Sequence, residues 1–283
     1  MTELRISGVP EHFNLPWKLL LESGKIAEQG IDMKWTDVPE GTGKMCSMLR
    51  NGETDVAVIL TEGIIRDIIE GNPSKIVQIY VQSPLIWGIH VAANSPFTSV
   101  EDLRNKRVAI SRPGSGSQLM AYVNAKENGF PAQELEFVTV NTIDGAVGAL
   151  TNGDADYFMW ERFMTKPLVD NGTFRRVGDC PTPWPCFVIA VREAFLEKHP
   201  EIIKTMLREI NDITANFKQI PHIENRLATD FNQKKEDISE WLSLTEWSQK
   251  SLDEDLLNKV QNQLLDCSVI HKKGTFADMA RVF

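Results

Sequence analysis

One loop combines small residues, hydroxyl groups and a positive charge in the way that anion-binding sites do. In the stretch 111–122, which reads SRPGSGSQLMAY, an apolar strand ends and an amphipathic helix is predicted to begin. Gly116 allows close approach of the backbone, and Ser115 or Ser117 is suited to cap the helix. The free N–H groups of a helix start attract carboxylate, sulfonate or phosphate groups, and Arg112 adds a charge. The alternative is an ordinary Gly/Ser helix start.

Two acidic residues stand at related places after apolar strands. Glu62 belongs to the string TEG, and Glu161 follows Trp160 in the string WER. We expect the two carboxylates to face one another across a cleft between two lobes and to accept hydrogen bonds from a ligand. Paired carboxylates also perform acid–base chemistry. Because no nucleophile, metal or cofactor motif accompanies them, we predict no catalytic residue, no cofactor and no metal site.

Other loops add polar and aromatic candidates for ligand contacts. The strings PEHF and PEGTG contribute Glu11, His12 and Thr42, and a simple helix cap is the alternative for Thr42. Trp184 lies between two prolines in TPWP, and Trp87 lies in a separate apolar run. Both tryptophans offer a flat surface to an aromatic ligand, and packing at a hinge is the alternative for both.

An internal repeat indicates which elements position these residues. The string LRNGETDVAV, which starts at Leu49, aligns with LTNGDADYFM, which starts at Leu150. In both copies a helix is predicted to end at Asn-Gly, and a strand begins after an acidic turn. Each copy therefore predicts strands that alternate with helices, which form a parallel-rich sheet with helices on both faces. Two copies predict a two-lobed α/β fold.

Two strand-like runs outside the repeat, residues 83–94 and 186–195, are the expected hinge crossings between the lobes. If both runs cross, the first lobe is discontinuous. We predict that lobe 1 consists of residues 1–88 and 190–283, and that lobe 2 consists of residues 89–189.

The C-terminal part shows the periodicity of several helices that cover a lobe. Pro200 stands in a suitable first turn of the first of these helices. Trp241 and Trp247 lie at helical positions in this tail, and we expect them to be packing residues rather than ligand contacts.

The composition disfavours several kinds of partner and location. There are 30 Lys and Arg against 39 Asp and Glu, which gives a net charge of −9 and disfavours nucleic acid or an anionic membrane as the main partner. No apolar run is long enough to insert into a membrane, and the first residues lack the pattern of a signal peptide. We expect a cytoplasmic protein, or a periplasmic or lipid-anchored one if a signal peptide has been removed. The 4 cysteines are expected to be free and buried.

The strings VPEHF, PEGTG, LTEG, SRPGSGS, FMWE and TPWP together resemble a known group. They are similar to type-II periplasmic-binding-like proteins related to alkanesulfonate-binding and thiamine-pyrimidine-precursor proteins, within a subfamily of fungal and bacterial members without signal peptides. The resemblance covers nearly the full length and implies a ligand cleft between lobes, lined by these loops. Residue types and resemblance together predict ligand contacts from Glu11, His12, Thr42, Glu62, Trp87, Arg112, Ser115, Gly116, Ser117, Trp160, Glu161 and Trp184.

We therefore predict a solute-binding protein that closes on an anionic or nitrogen-heterocyclic ligand, similar to the substrate-binding proteins of ABC transporters. An ABC importer would be its partner if the native chain is exported. The alternative is a cytosolic enzyme of thiamine-pyrimidine or related small-molecule metabolism, with Glu62, Glu161 or His12 as acid or base. The pyrimidine-synthesising enzymes of the group carry a motif of adjacent cysteines, which this sequence lacks. That difference counts against the enzyme.

Overall fold

The computed structural model describes all 283 residues, which form two compact units. Unit 1 comprises residues 1–84, 184–264 and 270–283, and unit 2 comprises residues 85–183 and 265–269. The chain passes from unit 1 to unit 2 after residue 84 and returns after residue 183, in each case just before a strand. The boundaries expected from the sequence, 88/89 and 189/190, lie inside these two strands.

The chain contains ten strands and thirteen helices. The strands are β1 Thr2–Gly8, β2 Ile31–Asp37, β3 Val56–Leu60, β4 Ser74–Val81, β5 Ile86–Ala92, β6 Arg107–Ile110, β7 Glu136–Thr139, β8 Tyr157–Glu161, β9 Phe174–Pro181 and β10 Phe187–Arg192. The helices are α1 Leu15–Ser23, α2 Lys25–Glu28, α3 Thr42–Asn51, α4 Thr61–Ile69, α5 Gly116–Glu127, α6 Ile143–Asn152, α7 Lys166–Asp170, α8 Glu193–Lys198, α9 Pro200–Asn216, α10 Ile223–Asp230, α11 Lys235–Leu244, α12 Glu254–Asp266 and α13 Phe276–Met279. None of these helices is long and apolar enough to cross a membrane.

Each unit is built on a five-stranded mixed sheet with the same plan. The strand order is β2-β1-β3-β10-β4 in unit 1 and β7-β6-β8-β5-β9 in unit 2. The strands of the repeat run parallel to one another, whereas β10 pairs antiparallel with β3 and β4, and β5 pairs antiparallel with β8 and β9. The antiparallel strand of unit 2, β5, is the first strand after the chain passes into that unit. The antiparallel strand of unit 1, β10, is the first strand after the chain returns to it. The predicted α/β fold with parallel-rich sheets is confirmed.

The repeat predicted from the sequence is present in the backbone. Helix α3 ends at Asn51 and α6 ends at Asn152, and the following residues, Gly52 and Gly153, have φ angles of 69° and 75°. Glycine adopts this left-handed conformation without steric cost, so Asn-Gly ends both helices in the same way. Strands β3 and β8 then begin at matching positions.

The repeat extends to a side-chain contact that the sequence alone did not reveal. The Nε and Nη2 groups of Arg5 donate to the carboxylate of Asp55 at 2.9 and 2.8 Å. In unit 2, the same groups of Arg107 donate to Asp156, both at 3.0 Å. Each pair joins the first strand of its copy to the residue just before the third strand. In unit 1 the side chain of Arg192 adds a second cation, at 2.7 Å from Asp55.

The two tryptophans of the tail are packing residues as predicted, but only Trp241 is helical, in α11; Trp247 follows this helix and forms an isolated antiparallel bridge with Val81. Helix α9 begins at Pro200, and the residues Trp241 and Trp247 are 1% and 9% exposed. The two rings meet edge to face with their centroids 5.7 Å apart, which is a favourable geometry for aromatic packing. Both are therefore core residues of unit 1.

Candidate functional site

Polar residues of unit 1 collect at one edge of its sheet because of strand direction. Parallel strands β1 and β3 end at this edge, and β10 begins there because it runs antiparallel, with Phe187 opposite Leu60. Residues that follow β3 therefore lie beside residues that precede β10. This is how Glu62 comes to lie next to Trp184, although 122 positions separate them in the chain. Ligands commonly bind beyond the carboxyl ends of strands in α/β sheets.

The start of α4 is held firmly against the segment before β10. The N–H of Thr61 donates to the carbonyl of Cys186 at 3.1 Å, and its hydroxyl donates to the carbonyl of Pro185 at 2.6 Å. In the other direction, the indole N–H of Trp184 donates to Oε2 of Glu62 at 2.7 Å. The two bonds from Thr61 hold the start of α4 in place, and the bond from Trp184 orients the Glu62 side chain.

The carboxyl group of Glu62 is almost completely removed from water. The residue is 2% exposed, and burial raises its pKa to about 7, although the hydrogen bonds from its own N–H and from Trp184 act in the opposite direction. Its second oxygen, Oε1, is buried and has no hydrogen-bond partner. A buried polar atom without a partner is costly, so Oε1 is a place where a ligand atom would be stabilised.

Thr42 belongs to the same cluster, but it does not cap its helix. The cap of α3 is Gly41, with a φ of 75°, and Thr42 is the first helical residue. A Cβ atom built on Gly63 would lie 2.3 Å from the Cγ2 methyl of Thr42, so the starts of α3 and α4 touch at this point. Glycine at position 63 therefore permits Thr42 to approach Glu62's helix.

This contact predicts a specific pattern of stability changes. In the wild-type background, Gly63→Ala should lower the free energy of unfolding by about 1–3 kcal/mol because the added methyl overpacks the contact. With Thr42→Ser the clashing methyl is gone and the next atom of residue 42 is 3.5 Å away. There the alanine should be neutral or stabilising by up to about 1 kcal/mol, since it favours the helix. Urea unfolding of the two single variants and the double variant measures the difference, and equal effects of Gly63→Ala in both backgrounds would contradict the contact.

Glu11 and His12 follow β1 at this same edge of unit 1, and Glu11 is partly exposed whereas His12 is buried. Burial raises the pKa of Glu11 to about 7 and lowers the pKa of His12 to about 3. The imidazole of His12 is fully buried, and its centroid lies 4.1 Å from that of Trp241 and 5.1 Å from that of Phe13. Neither ring nitrogen has a hydrogen-bond partner. In this structure His12 is thus an uncharged member of an aromatic cluster.

In unit 2, the serine loop after β6 forms a tight hydroxyl network. Ser115 is the N-cap of α5, and its Oγ accepts the N–H of Gln118 at 3.4 Å. The Oγ of Ser117 accepts the N–H of Ser111 at 3.0 Å and lies 3.0 Å from the Oγ of Ser115. Ser115 and Ser117 are both buried. The predicted capping role therefore belongs to Ser115, while Ser117 holds the loop against the end of its strand.

The same loop leaves several donors without acceptors. The N–H groups of Gly116 and Ser117, in the first turn of α5, have no partner within the protein. Arg112 is partly exposed and makes no hydrogen bond or ion pair. Open N–H groups at the start of a 12-residue helix, together with an unpaired guanidinium, favour a negatively charged group.

Trp87, Trp160 and Glu161 lie together in the centre of the unit 2 sheet. Trp87 on β5 pairs with Glu161 on β8, and the rings of Trp87 and Trp160 meet edge to face at 6.3 Å. Trp160 is also stacked on Phe158. Trp87 is only 5% exposed. The three residues thus lie on two paired inner strands, and Glu161 is the last residue of β8.

The predicted equivalence of Glu62 and Glu161 is wrong. Glu161 is the last residue of β8, so its counterpart in the repeat is Leu60 at the end of β3, whereas Glu62 lies one residue inside α4. The Oε2 of Glu161 accepts the N–H of Met164 at 2.6 Å, which is a turn contact within unit 2. Glutamate is the middle residue of both strings, TEG and WER, but the two glutamates differ by two positions in the alignment of the repeat.

The four cysteines are free thiols, and three of them are buried. No group of three His, Cys, Asp or Glu side chains is arranged to hold a metal ion.

A search of curated protein sequences finds no match to this chain. The model of one family, the Ca3427-like periplasmic binding proteins, matches residues 87–180, which make up most of unit 2.

Solved structures match over the whole chain. The Candida albicans CA3427 gene product, described as defining a new family with the generic periplasmic binding protein fold, is 27% identical, with a TM-score of 0.89 over 97% of this chain and 92% of that one. The alkanesulfonate-binding protein SsuA of Xanthomonas axonopodis pv. citri, bound to MOPS, is 14% identical, with a TM-score of 0.83 over 100% and 99% of the two chains. The Escherichia coli aliphatic sulphonate binding protein SsuA is 17% identical, with a TM-score of 0.76 over 99% and 92%.

The chain therefore has the type-II periplasmic binding protein fold, and its predicted resemblance to periplasmic-binding-like proteins of the alkanesulfonate-binding group is confirmed.

Proposed function

We propose that the chain is a solute-binding protein for a small molecule with an anionic group or a nitrogen heterocycle. The observation that carries the proposal is the loop after β6, where the unpaired Arg112, the open N–H groups of Gly116 and Ser117 and the hydroxyl of Ser115 are grouped at a helix start. These are the donors that carboxylates and sulfonates need. Within unit 1, Glu62, whose Oε1 lacks a partner, and the indole of Trp184 are separate candidate contacts.

Proteins of the same fold support an anionic ligand, the first of the two proposed ligand classes. SsuA proteins with the same fold bind sulfonates, and one of them was solved with the sulfonate MOPS. An ABC importer is the partner that this kind of protein suggests if the native chain is exported. The closing of two lobes on the ligand and the individual contact residues stay predictions.

Binding is favoured over catalysis by the state of the candidate acids and bases. Aromatic rings enclose His12, and Glu161 is engaged with the backbone of its own turn. Trp184 occupies one oxygen of Glu62. The aromatic rings, the backbone N–H and the indole that contact these groups are not nucleophiles.

A thermal-shift screen tests the proposal, with butane-1-sulfonate, acetate, pyrimidine and 4-aminopyrimidine as probes. A ligand that binds only the folded state at 100 times its Kd adds about 2.7 kcal/mol of stability, so a binding probe should raise the Tm by several degrees. Sodium chloride at equal ionic strength is the control. If no probe exceeds the salt control while the protein melts cooperatively, the proposed ligand classes are wrong.

A further inference from the structure

The immediate surroundings of Glu62 contain little that would hold a negative charge. The side chain is buried, makes no salt bridge, and receives one hydrogen bond from another residue, the indole N–H of Trp184. The one charged group that acts on it is Arg66, one helical turn further along α4, and Arg66 lies 3.8 Å from Glu70. From α3, the uncharged Thr42 contacts Gly63, the residue next to Glu62 in the chain.

The indole of Trp184 also decides which carboxyl oxygen can carry a proton. An indole N–H only donates, so Oε2 must act as an acceptor. Oε1 has no partner in the protein and is therefore the oxygen on which a proton is accommodated. A neutral carboxyl group in this position would present an O–H donor that still lacks an acceptor.

We infer that Glu62 binds the solute as a neutral carboxylic acid, with the O–H of Oε1 donated to an acceptor atom of the solute. The inference rests on the proposed function and specifies the ligand chemistry at this point. A sulfonate or carboxylate oxygen, or an unprotonated ring nitrogen, fits. An ammonium or guanidinium group, which only donates, does not fit. A buried acidic residue is thereby compatible with an anionic solute.

A pH dependence of binding follows, with a definite sign. Burial raises the pKa of Glu62 to about 7, so the carboxyl group is mostly neutral at pH 6 and mostly charged at pH 8. Because the solute binds the protonated form, its affinity should be constant below pH 6 and should fall about tenfold for each pH unit well above 7. A solute that binds through an ammonium group would show the opposite dependence.

A titration without ligand tests the protonation state directly. In ¹⁵N NMR spectra of the full chain, the indole N–H signal of Trp184 should shift with a midpoint near pH 7, because the charge on Glu62 changes the acceptor of this hydrogen bond. Trp184→Phe assigns the signal. The shift should disappear in Glu62→Gln, which keeps the acceptor oxygen but cannot ionise. A wild-type signal that stays constant between pH 5 and 9, or that still titrates in the glutamine variant, would overturn the inference.

Binding of butane-1-sulfonate, whose charge is constant in this range, tests the role toward the solute. In isothermal titration calorimetry, Glu62→Gln should keep the affinity that wild type has at pH 6 and hold it unchanged to pH 8.5, because its amide donates in place of the O–H. Glu62→Ala should bind about 5- to 20-fold more weakly at low pH, since it offers no donor. A pH-independent affinity in wild type, or equal losses in the two variants, would contradict the inference while leaving solute binding intact.

The two proposals fail in different ways. If no probe binds at any pH, the proposed function is contradicted for these ligand classes, and the NMR titration still decides whether Glu62 is neutral. If the probe binds and the indole signal does not titrate, solute binding stands and the neutral carboxyl group is wrong.

Discussion

Arg112→Gln should weaken the binding of butane-1-sulfonate by about 10- to 100-fold, since a hydrogen bond to a charged group is worth about 1.5–3 kcal/mol and tenfold in Kd is about 1.4 kcal/mol. The guanidinium has no partner in the protein, so it has no structural role whose loss would explain a weaker affinity. The Tm without ligand should therefore change little. Calorimetric titration at pH 6 gives the affinity, and thermal melting gives the stability.

Arg104→Gln is the matched control, because it removes the same charge from the same unit. Arg104 precedes β6, whereas Arg112 follows it, so the two lie at opposite ends of one strand. Its guanidinium covers the ring of Phe130 and donates to the carbonyl of Gly129. This variant should bind the sulfonate with wild-type affinity. Equal losses in both variants would show that only the overall charge matters and that the loop after β6 is not the anion site.

Asp55→Asn should lower the free energy of unfolding by about 3 kcal/mol at pH 7, because it leaves two arginines without their shared counter-charge. The Asp55 side chain is 3% exposed and lies 2.8 Å from Arg5 and 2.7 Å from Arg192. Burial acts to raise the pKa of Asp55, but the hydrogen bonds from both arginines outweigh it and hold this pKa below its ordinary value. Urea unfolding measures the loss.

The pH dependence and the repeat supply the controls for Asp55. The carboxylate stabilises the fold above its pKa in the unfolded chain, and this contribution is lost as the pH falls through the lower pKa of the folded protein. The difference between wild type and Asp55→Asn should therefore be complete at pH 7 and shrink below about pH 4. Asp156→Asn, at the matching position, should cost less, because Asp156 pairs with only one arginine and is more exposed. Equal costs for both variants would contradict the account.

Much of the fold is predictable from the sequence because the repeat fixes it locally. Asn-Gly ends two helices at matching positions, and the apolar run after each acidic turn forms a buried strand. Sequence periodicity could not show that β5 and β10 run antiparallel inside the sheets. The direction of these two strands follows from where the chain passes between the units. An apolar strand has the same sequence pattern in either direction, so the pattern does not report it.

The candidate site residues likewise fall into those that are close in sequence, which could be predicted, and those that the fold brings together, which could not. The serine loop was predictable, since Ser115, Gly116 and Arg112 are neighbours in sequence and their chemistry is local. The bond between Glu62 and Trp184 was not, because it arises from the antiparallel entry of β10 at the end of β3. The burial of His12 under Trp241 likewise depends on packing of the distant helix α11.

Calorimetric titration of the full chain with butane-1-sulfonate at pH 6 tests the central claim of solute binding most directly. We expect saturable binding with one site per chain, which is abolished when Arg112→Gln is combined with Ser115→Ala and is retained in Arg104→Gln. An absence of binding by the folded wild-type protein, or unchanged binding by the double variant, would contradict an anion-binding solute receptor built on this loop.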